Sequence, residues 1–348
     1  MISYNLLLLI NVLLLLLSSL TKNKAFLYVA LFTSLLFFGF RFEVGADWYN
    51  YVRKFYLADN LNYIDYLETS DFGFANISYL LHYIFGNYQS LVFLMSLLSL
   101  FGVYYLIGVQ KASPAIFFLV AYPYLIVVVG PNYIRQGAAV GLLCLSFAFA
   151  FNKKNKSAML AALFAILFHA SAVVGFIILF FSMYRVNFKK VVYILIITLI
   201  GIVVLGPRIV SKLDFYVNDF SNQSTGIYFR IILYSIPFFL VLLNNKFFSR
   251  DDVESRVIKF SMLLFMVISG VSIINTVIAD RLLIYTIPAQ ALLASRVVSD
   301  MKSTINALLV SMFIFIFSIV QLNSWLEYSL WAKIAWIPYN NVIILDLL

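Results

Sequence analysis

Charge, histidine and cysteine are scarce in this chain. Of its 348 residues, 11% are charged, two are histidines and one, Cys144, is a cysteine. A single cysteine excludes an intrachain disulfide and a cysteine-rich metal site, and two histidines argue against a multi-histidine metal site. The chain is 64% hydrophobic, with repeated apolar runs of 16 to 22 residues. This composition indicates one integral membrane domain across residues 1–348 and is not typical of soluble domains.

Apolar windows bounded by charged or Asn/Pro-rich turns predict the membrane spans. The windows lie at about 4–21, 25–40, 89–109, 114–130, 134–151, 191–206, 230–244, 257–279, 282–298 and 304–322. The first has no basic residue before it and no small-residue cleavage pattern after it, so we interpret it as a retained span. With two ambiguous segments, at 74–86 and 157–184, the sequence predicts an all-α polytopic transmembrane helix bundle of about 10–12 membrane segments.

Residues 157–184 are apolar but have basic residues on both flanks. If they form a re-entrant hairpin that breaks near His169, both flanks are cytoplasmic, and 15 of the 24 Lys and Arg residues lie inside against 9 outside. A single crossing gives 11 against 13. The positive-inside rule therefore favours the hairpin. Because irregular backbone at membrane depth needs surrounding protein or water, the hairpin also predicts a polar pocket near its tip.

The hydrophilic stretch at residues 41–88 is predicted to be a periplasmic loop that includes an interfacial helix. With the hairpin topology, this loop falls on the same outer side as His169 and the turns that carry Arg135 and Arg281. Arg41 opens the loop. The plainer interpretation of each arginine is snorkelling to lipid headgroups, but three on one face favour a function.

Two other polar residues on this side also have plain alternatives. Asp47 is interpreted either as a functional carboxylate or as an ion-pair partner of Arg41. His169 is interpreted either as functional or as a helix-packing histidine bonded to a carbonyl. The sequence leaves these alternatives open.

Arginine forks fit phosphate oxygens, and a nearby carboxylate or imidazole can take a proton from an attacking hydroxyl. The arginines can then stabilise the charge that develops on a departing phosphate. No Asp-x-Asp pair or metal cluster accompanies these residues in the sequence. The pattern therefore predicts transfer from a diphosphate-linked lipid without a metal or other cofactor.

Five short stretches occur in order along most of the chain. They are FRFEVGADWYNY (40–51), DFGFANISYLL (71–81), PNYIRQGAAVG (131–141), FHASA (168–172) and DRLLIY (280–285). In this set and order the sequence resembles the EpsG family of Wzy-type bacterial polysaccharide polymerases. Members often have glutamate where this chain has Asp71, which leaves the role of that carboxylate open. The C-terminal region, residues 323–348, carries no recognisable motif and no predicted role.

The resemblance implies a glycosyltransferase of the bacterial cytoplasmic (inner) membrane, with its active site facing the periplasm. It would polymerise undecaprenyl-diphosphate-linked oligosaccharide units into O-antigen, capsule or exopolysaccharide. The implied partners are this lipid-linked oligosaccharide, membrane lipid and a chain-length regulator protein, but no nucleic acid. The implied site consists of Arg41, Arg135 and Arg281 on the diphosphates, Asp47 or His169 activating the acceptor, and Tyr51, Gln136 and Gly45 near the substrate.

Three rival functions fit parts of the pattern. A flippase or transporter of lipid-linked sugar would also need outward arginines, but its internal repeats are not evident here. An O-antigen ligase would use the same diphosphate chemistry, although its large outer loop is expected late in the chain. A membrane scaffold would leave His169 and the outer arginines unexplained.

Overall fold

The helices of the protein were analysed in a computed structural model, which describes residues 1–184, 226–242 and 250–345. In chain order they are α1 (Ile2–Thr21), α2 (Ala25–Gly39), α3 (Trp48–Tyr56), α4 (Tyr63–Leu67), α5 (Phe72–Phe85), α6 (Tyr88–Val109), α7 (Pro114–Ala121), α8 (Gly130–Asn132), α9 (Ile134–Phe151), α10 (Asn155–Phe168), α11 (Val173–Met183), α12 (Ile227–Leu242), α13 (Val253–Ile274), α14 (Thr276–Leu283), α15 (Ile287–Asp300), α16 (Thr304–Tyr328), α17 (Leu330–Ala335) and α18 (Val342–Leu345). A π-helix, Tyr122–Val129, joins α7 to α8. The described ranges contain no β-strand, which confirms the all-α prediction.

Within the described ranges, seven helices are long and apolar enough to cross a membrane. They are Ile2–Thr21, Tyr88–Val109, Pro114–Asn132, Ile134–Phe151, Val253–Ile273, Thr276–Asp300 and Thr304–Tyr328. Four shorter apolar helices accompany them, at Ala25–Gly39, Asn155–Phe168, Ala170–Met183 and Ile227–Phe239. The protein is therefore a polytopic helical bundle, as predicted. The predicted span at residues 191–206 lies outside the described residues.

The bundle has two ends, which we call the loop end and the far end. The loop end carries α3, α4 and α5 and the first turn of α9. Helices α6 and α9 both run from the loop end to the far end and touch at Gly102 and Gly141, where a Cβ added to Gly102 would lie 1.8 Å from the Gly141 oxygen. Two glycines thus allow the backbones of two apolar helices to approach closely, as small residues do in membrane proteins.

The chain breaks at His169, between α10 and α11. Helix α10 begins at the far end, where the Ser146 hydroxyl of α9 donates to the Ala158 carbonyl at 2.8 Å. At the loop end His169 adopts an extended conformation, with φ −157° and ψ 119°. Helix α11 then returns to the far end, where the Ser182 carbonyl accepts a hydrogen bond from Arg256 at 2.6 Å. Asn155 and Met183, the outer ends of this helix pair, therefore lie at one end of the bundle, and the re-entrant placement of the pair in a membrane stays a prediction.

Two prolines in the segment from α7 to α8 remove backbone donors that an α-helix would supply. Pro123 and Pro131 lack the N–H that would reach the carbonyl four residues earlier in an α-helix. The carbonyl of Leu119 accepts instead from the Ser318 hydroxyl at 2.7 Å. That of Val127 accepts from the indole nitrogen of Trp336 at 3.0 Å. Side chains from α16 and the C-terminal segment thus supply the missing donors and fasten this helix in the bundle.

The C-terminal segment also holds the start of the outer loop. The amide of Phe42 donates to the Asn340 carbonyl at 3.0 Å, and the amide of Val342 donates to the Phe40 carbonyl at 2.8 Å. The amide of Gly45 donates to the Ala335 carbonyl at 2.8 Å. The sequence assigns no role to this region, whereas the structure shows that it fixes the conformation of residues 40–45.

Candidate active site

Arg135, Asp71 and His169 meet at the loop end of the bundle. Arg135 lies in the first turn of α9, Asp71 precedes α5, and His169 follows α10. The Arg135 guanidinium donates to the Asp71 carboxylate at 2.6 Å and to the Ser70 hydroxyl at 3.0 Å. His169 Nδ1 lies 3.7 Å from the same carboxylate. Asp71 therefore joins two of the predicted site residues, although the sequence left its role open.

Close packing of α5 on α10 brings Asp71 to His169. A Cβ added to Gly73 would lie 3.0 Å from the backbone of Leu167, so the glycine lets the start of α5 approach the end of α10. The DFGF stretch thus places a carboxylate and a small residue two positions apart at a helix start. Gly73 is the sequence feature that could have indicated the close approach of Asp71 to His169.

Aromatic rings flank the Arg135 guanidinium. The rings of Tyr51 and Phe74 each lie 5.9 Å from its central carbon. Tyr51 is buried, and its hydroxyl interacts with the guanidinium. Aromatic faces attract a cation, so these rings hold the guanidinium in place. The structure thus brings Tyr51 to Arg135, as the sequence-based site requires.

Two buried nitrogens in this cluster have no hydrogen-bond partner within the described part of the chain. They are Nε of Arg135 and Nδ1 of His169. Buried polar atoms in folded proteins are nearly always bonded, and each exception calls for an explanation. An anion or a sugar hydroxyl bound between the two residues would satisfy both. The cluster therefore has the properties of a ligand site.

Arg281 belongs to the same electrostatic site. Its backbone carbonyl accepts a hydrogen bond from the Gln136 amide at 2.7 Å. The positive charge of Arg281 acts on Asp47, Tyr51 and His169. The turn predicted at Arg281 is wrong, because the residue lies inside α14, whose start is capped by the Asn275 side chain.

Asp47 lies directly before α3 and faces the basic residues. Its backbone amide donates to the Asn132 side chain at 3.1 Å, and its carboxylate lies 3.5 Å from the Asn50 amide nitrogen. Burial raises the pKa of Asp47, while the charges of Arg281 and Arg135 oppose that rise. The carboxylate is therefore positioned near both arginines without a close ion pair.

The side chain of His169 is largely buried, with 18% of its surface exposed. Charges of both signs surround it, those of Arg135 and Arg281 and that of Asp71. In its neutral form an imidazole can donate one hydrogen bond and accept another, which suits contact with a hydroxyl group.

Arg41 lies inside the protein, with a relative exposure of 0%. Its guanidinium donates to the carbonyls of Phe38 (2.7 Å), Val44 (3.3 Å) and Pro131 (3.3 Å) and to the Ser96 hydroxyl (2.9 Å). These donors are therefore occupied by the protein itself. The geometry favours a positioning role for Arg41 over the predicted contact with a diphosphate, and it gives Arg41 no ion pair with Asp47.

The backbone conformation at position 45 requires glycine, and no ligand contact is needed to explain it. Its φ is +114°, a conformation that residues with a side chain rarely adopt. A Cβ added there would lie 2.6 Å from the Pro131 carbonyl oxygen. Gly45 therefore allows the loop that carries Asp47 to pack against the turn that precedes Arg135.

Lys54 and Arg230 are two further functional candidates that the sequence did not predict. Lys54 is half-buried, burial lowers the pKa of its ammonium group, and the nearby positive charge of Arg135 does so too. Because Lys54 follows Tyr51 by three residues on α3, helical spacing alone would have placed both on one face.

On the other side of the site, Arg230 contacts Asp280 at 2.7 Å, and the Tyr124 hydroxyl donates to Asp280 at 3.0 Å. The sequence feature that could have identified Arg230 as a functional candidate is its position inside a predicted apolar span.

Comparisons with known proteins give one match. A family model described as the EpsG family matches residues 24–341. No curated protein and no solved structure matches the chain. The matched range includes the outer loop, the Arg135 cluster, His169, Arg281 and the C-terminal segment as far as Asn341.

In the three described ranges, no group of three or more His, Cys, Asp or Glu side chains could hold a metal ion.

Proposed function

The chain belongs to the EpsG family, and from that premise we propose that it is a glycosyltransferase that polymerises undecaprenyl-diphosphate-linked oligosaccharide units. The growing chain on one lipid is moved to a newly exported unit on another. The observation that carries this proposal is the cluster of cations at the loop end. Arg135, Arg281 and Lys54 lie there with the carboxylates of Asp47 and Asp71. Among the described residues, Nε of Arg135 and Nδ1 of His169 have no hydrogen-bond partner.

The cations bind the diphosphate of the donor lipid. Arg135 presents a planar fork whose Nε is unbonded among the described residues, and phosphate oxygens fit such a fork bidentately. The charge of Arg281 supports the same anion from α14. Asp71 holds Arg135 and lies near His169, so it orients both before the substrate arrives. Gln136 ties the start of α9 to Arg281 through the carbonyl of that residue.

The transfer step then follows from these positions. The Asp47 carboxylate accepts the proton of the acceptor hydroxyl, whose oxygen forms a bond with the anomeric carbon of the donor sugar. The bond between that carbon and the diphosphate oxygen breaks, and its electron pair remains on the diphosphate. Arg135 and Arg281 stabilise the negative charge that develops there. His169 and Tyr51 hold hydroxyl or phosphate oxygens in the site.

The loop end faces the periplasm in this proposal. Basic residues flank the helix ends at the far end, namely Lys22, Lys24, Lys111, Lys153, Lys154, Lys156 and Lys302. Short loops rich in Lys and Arg remain in the cytoplasm of bacteria. Exported lipid-linked units are present on the other side of the inner membrane, where the Arg135 cluster would then lie.

Deletion of the gene in its host, followed by gel electrophoresis of the surface polysaccharide, tests this function. A lost polymerase leaves a product of one repeat unit, and plasmid-borne wild-type chain restores the ladder. Absence of any surface sugar would instead show an export function. Long chains that are missing only from the lipid core would show a ligase. Either of these two results would overturn the proposal.

A further inference from the structure

Two short 3₁₀-helical turns follow the segments that carry His169 and Arg281. Residues Ala170–Ala172 form one, directly after His169, and residues Ile284–Thr286 form the other, directly after α14. Hydrogen bonds have poorer geometry in such turns than in α-helices, so side-chain contacts have a larger share in fixing their conformation. The position of His169 relative to Arg281 therefore depends on the contacts between the two turns.

A pair of hydroxyl groups joins these turns. The Ser171 hydroxyl lies 2.8 Å from the Tyr285 hydroxyl, within hydrogen-bond distance. Tyr285 is buried, with a relative exposure of 1%, and Ser171 is half-buried. A hydrogen bond that is largely removed from water is stronger electrostatically than the same contact at the surface. The hydroxyl pair therefore holds the turn after His169 against the turn after α14.

The Tyr285 hydroxyl also reaches the start of α9. It interacts with the side chain of Gln136, which is itself buried and donates to the Arg281 carbonyl at 2.7 Å. A phenol hydroxyl can donate one hydrogen bond and accept another, so it can serve Ser171 and Gln136 at once. Gln136 directly follows Arg135. One phenol group therefore connects three segments of the candidate active site.

The three residues of this connection come from three of the five stretches that mark the sequence. Gln136 belongs to PNYIRQGAAVG, Ser171 to FHASA and Tyr285 to DRLLIY. The sequence analysis assigned no role to Ser171 or Tyr285. Their contact gives a physical reason for a hydroxyl residue in each of these two stretches.

We propose that Tyr285 is a positioning residue that, through Ser171 and Gln136, sets the distance from His169 to the arginines of the site. Its burial keeps Tyr285 itself from contact with substrate. This inference rests on the proposed function, in which the arginines stabilise the departing diphosphate while His169 holds a hydroxyl or phosphate oxygen. Because a misplacement of about 1 Å can lower a rate about a hundredfold, loss of the hydroxyl should slow the reaction more than it weakens binding.

Tyr285→Phe removes the hydroxyl and keeps the ring. In polymerisation by the purified full chain, it should lower kcat about 10- to 100-fold, with KM for the lipid-linked unit changed less. The matched control is Tyr104→Phe, because Tyr104 is also buried and its hydroxyl bonds Ser34 at 2.7 Å and Asn11 at 2.6 Å, between α1, α2 and α6. The control should lose a similar amount of thermal stability but keep its kcat. An equal fall in kcat in both variants would show a general loss of stability and overturn the proposal.

A double-mutant cycle tests whether Tyr285 acts through Ser171. Ser171→Ala should lower kcat to a similar extent as Tyr285→Phe. The combined variant should be no slower than the slower single variant, since both changes remove the same hydrogen bond. If the two effects multiply, the hydroxyls act independently and the connection between the turns is refuted.

A spectroscopic measurement separates this inference from the proposed function. The chain has two histidines, so isotope-labelled histidine gives imidazole signals from His82 and His169 only, and His82→Gln assigns them. In solid-state NMR of the protein in nanodiscs, Tyr285→Phe and Ser171→Ala should shift the His169 signals, whereas Tyr104→Phe should not. Unchanged His169 signals in both site variants would overturn the positioning role. If these shifts occur but the wild-type chain forms no polymer, the connection holds and the polymerase proposal fails.

Discussion

At the scale of single residues, Asp47 is the carboxylate best placed to accept a proton. Asp71 is engaged by Arg135 at 2.6 Å, whereas the Asp47 carboxylate accepts a longer hydrogen bond from the Asn50 amide, at 3.5 Å. Burial raises the pKa of Asp47, which makes it a stronger base than an exposed aspartate when it is ionised. We therefore assign the proton transfer to Asp47 and hydrogen bonding to His169.

Asp47→Asn should lower kcat about 10²- to 10⁴-fold with KM for the lipid-linked unit largely unchanged. The base must be ionised, so the wild-type rate should fall as pH falls through the raised pKa of Asp47, and this fall should disappear in the variant. The assay is polymerisation by purified protein at several pH values. Glu68→Gln, at an exposed carboxylate of the same loop, is the control. A normal rate in Asp47→Asn would remove Asp47 from the mechanism.

Arg41→Lys tests a positioning role against ligand binding. The ammonium group cannot replace the fork that reaches three carbonyls and Ser96, so the variant should lose about 2–4 kcal/mol of stability. The measurements are the melting temperature in detergent and KM of the remaining folded enzyme, which should be unchanged. An unchanged melting temperature with a raised KM would instead support the direct diphosphate contact predicted from the sequence.

The sequence could predict which residues share a side of the membrane but not how they contact one another. The distribution of Lys and Arg predicts Arg135, His169 and Arg281 on one side of the membrane, and the structure has them at one end of the bundle, while the side of the membrane stays a prediction. The burial of Arg41 depends on the Ser96 hydroxyl and the Pro131 carbonyl, which lie far from Arg41 along the chain and which no local pattern indicates. The central position of Asp71 depends in the same way on close packing of Gly73 against Leu167.

At the scale of helices, the contact between α6 and α9 positions the site. These two helices carry Ser96, which binds Arg41, and Arg135, which binds Asp71. Their backbones approach at Gly102 and Gly141, so any side chain at these positions would collide with the backbone of the partner helix. The geometry of the site therefore depends on a glycine pair some distance from it along the helices.

Gly102→Ala should destabilise the protein by about 3 kcal/mol, since the new methyl group would lie 1.8 Å from the Gly141 oxygen. Gly270→Ala is the matched control, because a Cβ there meets nothing within 4 Å and alanine favours the helix. Thermal unfolding followed by circular dichroism measures both variants. Equal melting temperatures for the two variants would show that α6 and α9 are not in close contact.

The limits of sequence-based prediction also differ among helices. Apolar windows end where charges or asparagines begin, so the prediction for residues 134–151 coincides with α9. The prediction failed at Asp280 and Arg281, where two charges suggested a turn. The helix continues through them because Arg230 and Tyr124 bind the Asp280 carboxylate, a long-range pairing that a local window does not contain.

At the scale of the whole molecule, the account requires the loop end to be outside the cytoplasm. Asp59, with a side-chain exposure of 57%, lies in the outer loop, and Asn155 begins α10 at the far end. In a chain with Cys144 replaced by serine, Asp59→Cys should react with a membrane-impermeant thiol reagent added to intact spheroplasts. Asn155→Cys should react only after the membrane is permeabilised. The reverse pattern would place the Arg135 cluster in the cytoplasm.

The described helices hold two arginine centres beside a carboxylate at the loop end of the bundle. The Arg135 centre is built from α5, α9 and the break at His169, and the Arg230 centre is built from α12, α14 and the π-helix. Arg281 lies between them along α14 and adds its charge to the Arg135 cluster.

The most direct test is polymerisation by the purified chain in nanodiscs, with a synthetic undecaprenyl-diphosphate-linked repeat unit as the sole substrate. The account predicts a ladder of products with one undecaprenyl diphosphate released for each bond formed. Arg135→Lys and Arg281→Lys should abolish most of the ladder because lysine keeps the charge but lacks the bidentate fork. Arg53→Lys, at an exposed position of α3, should retain it. A full ladder from both the Arg135→Lys and Arg281→Lys proteins would contradict the assignment of these arginines to the diphosphate.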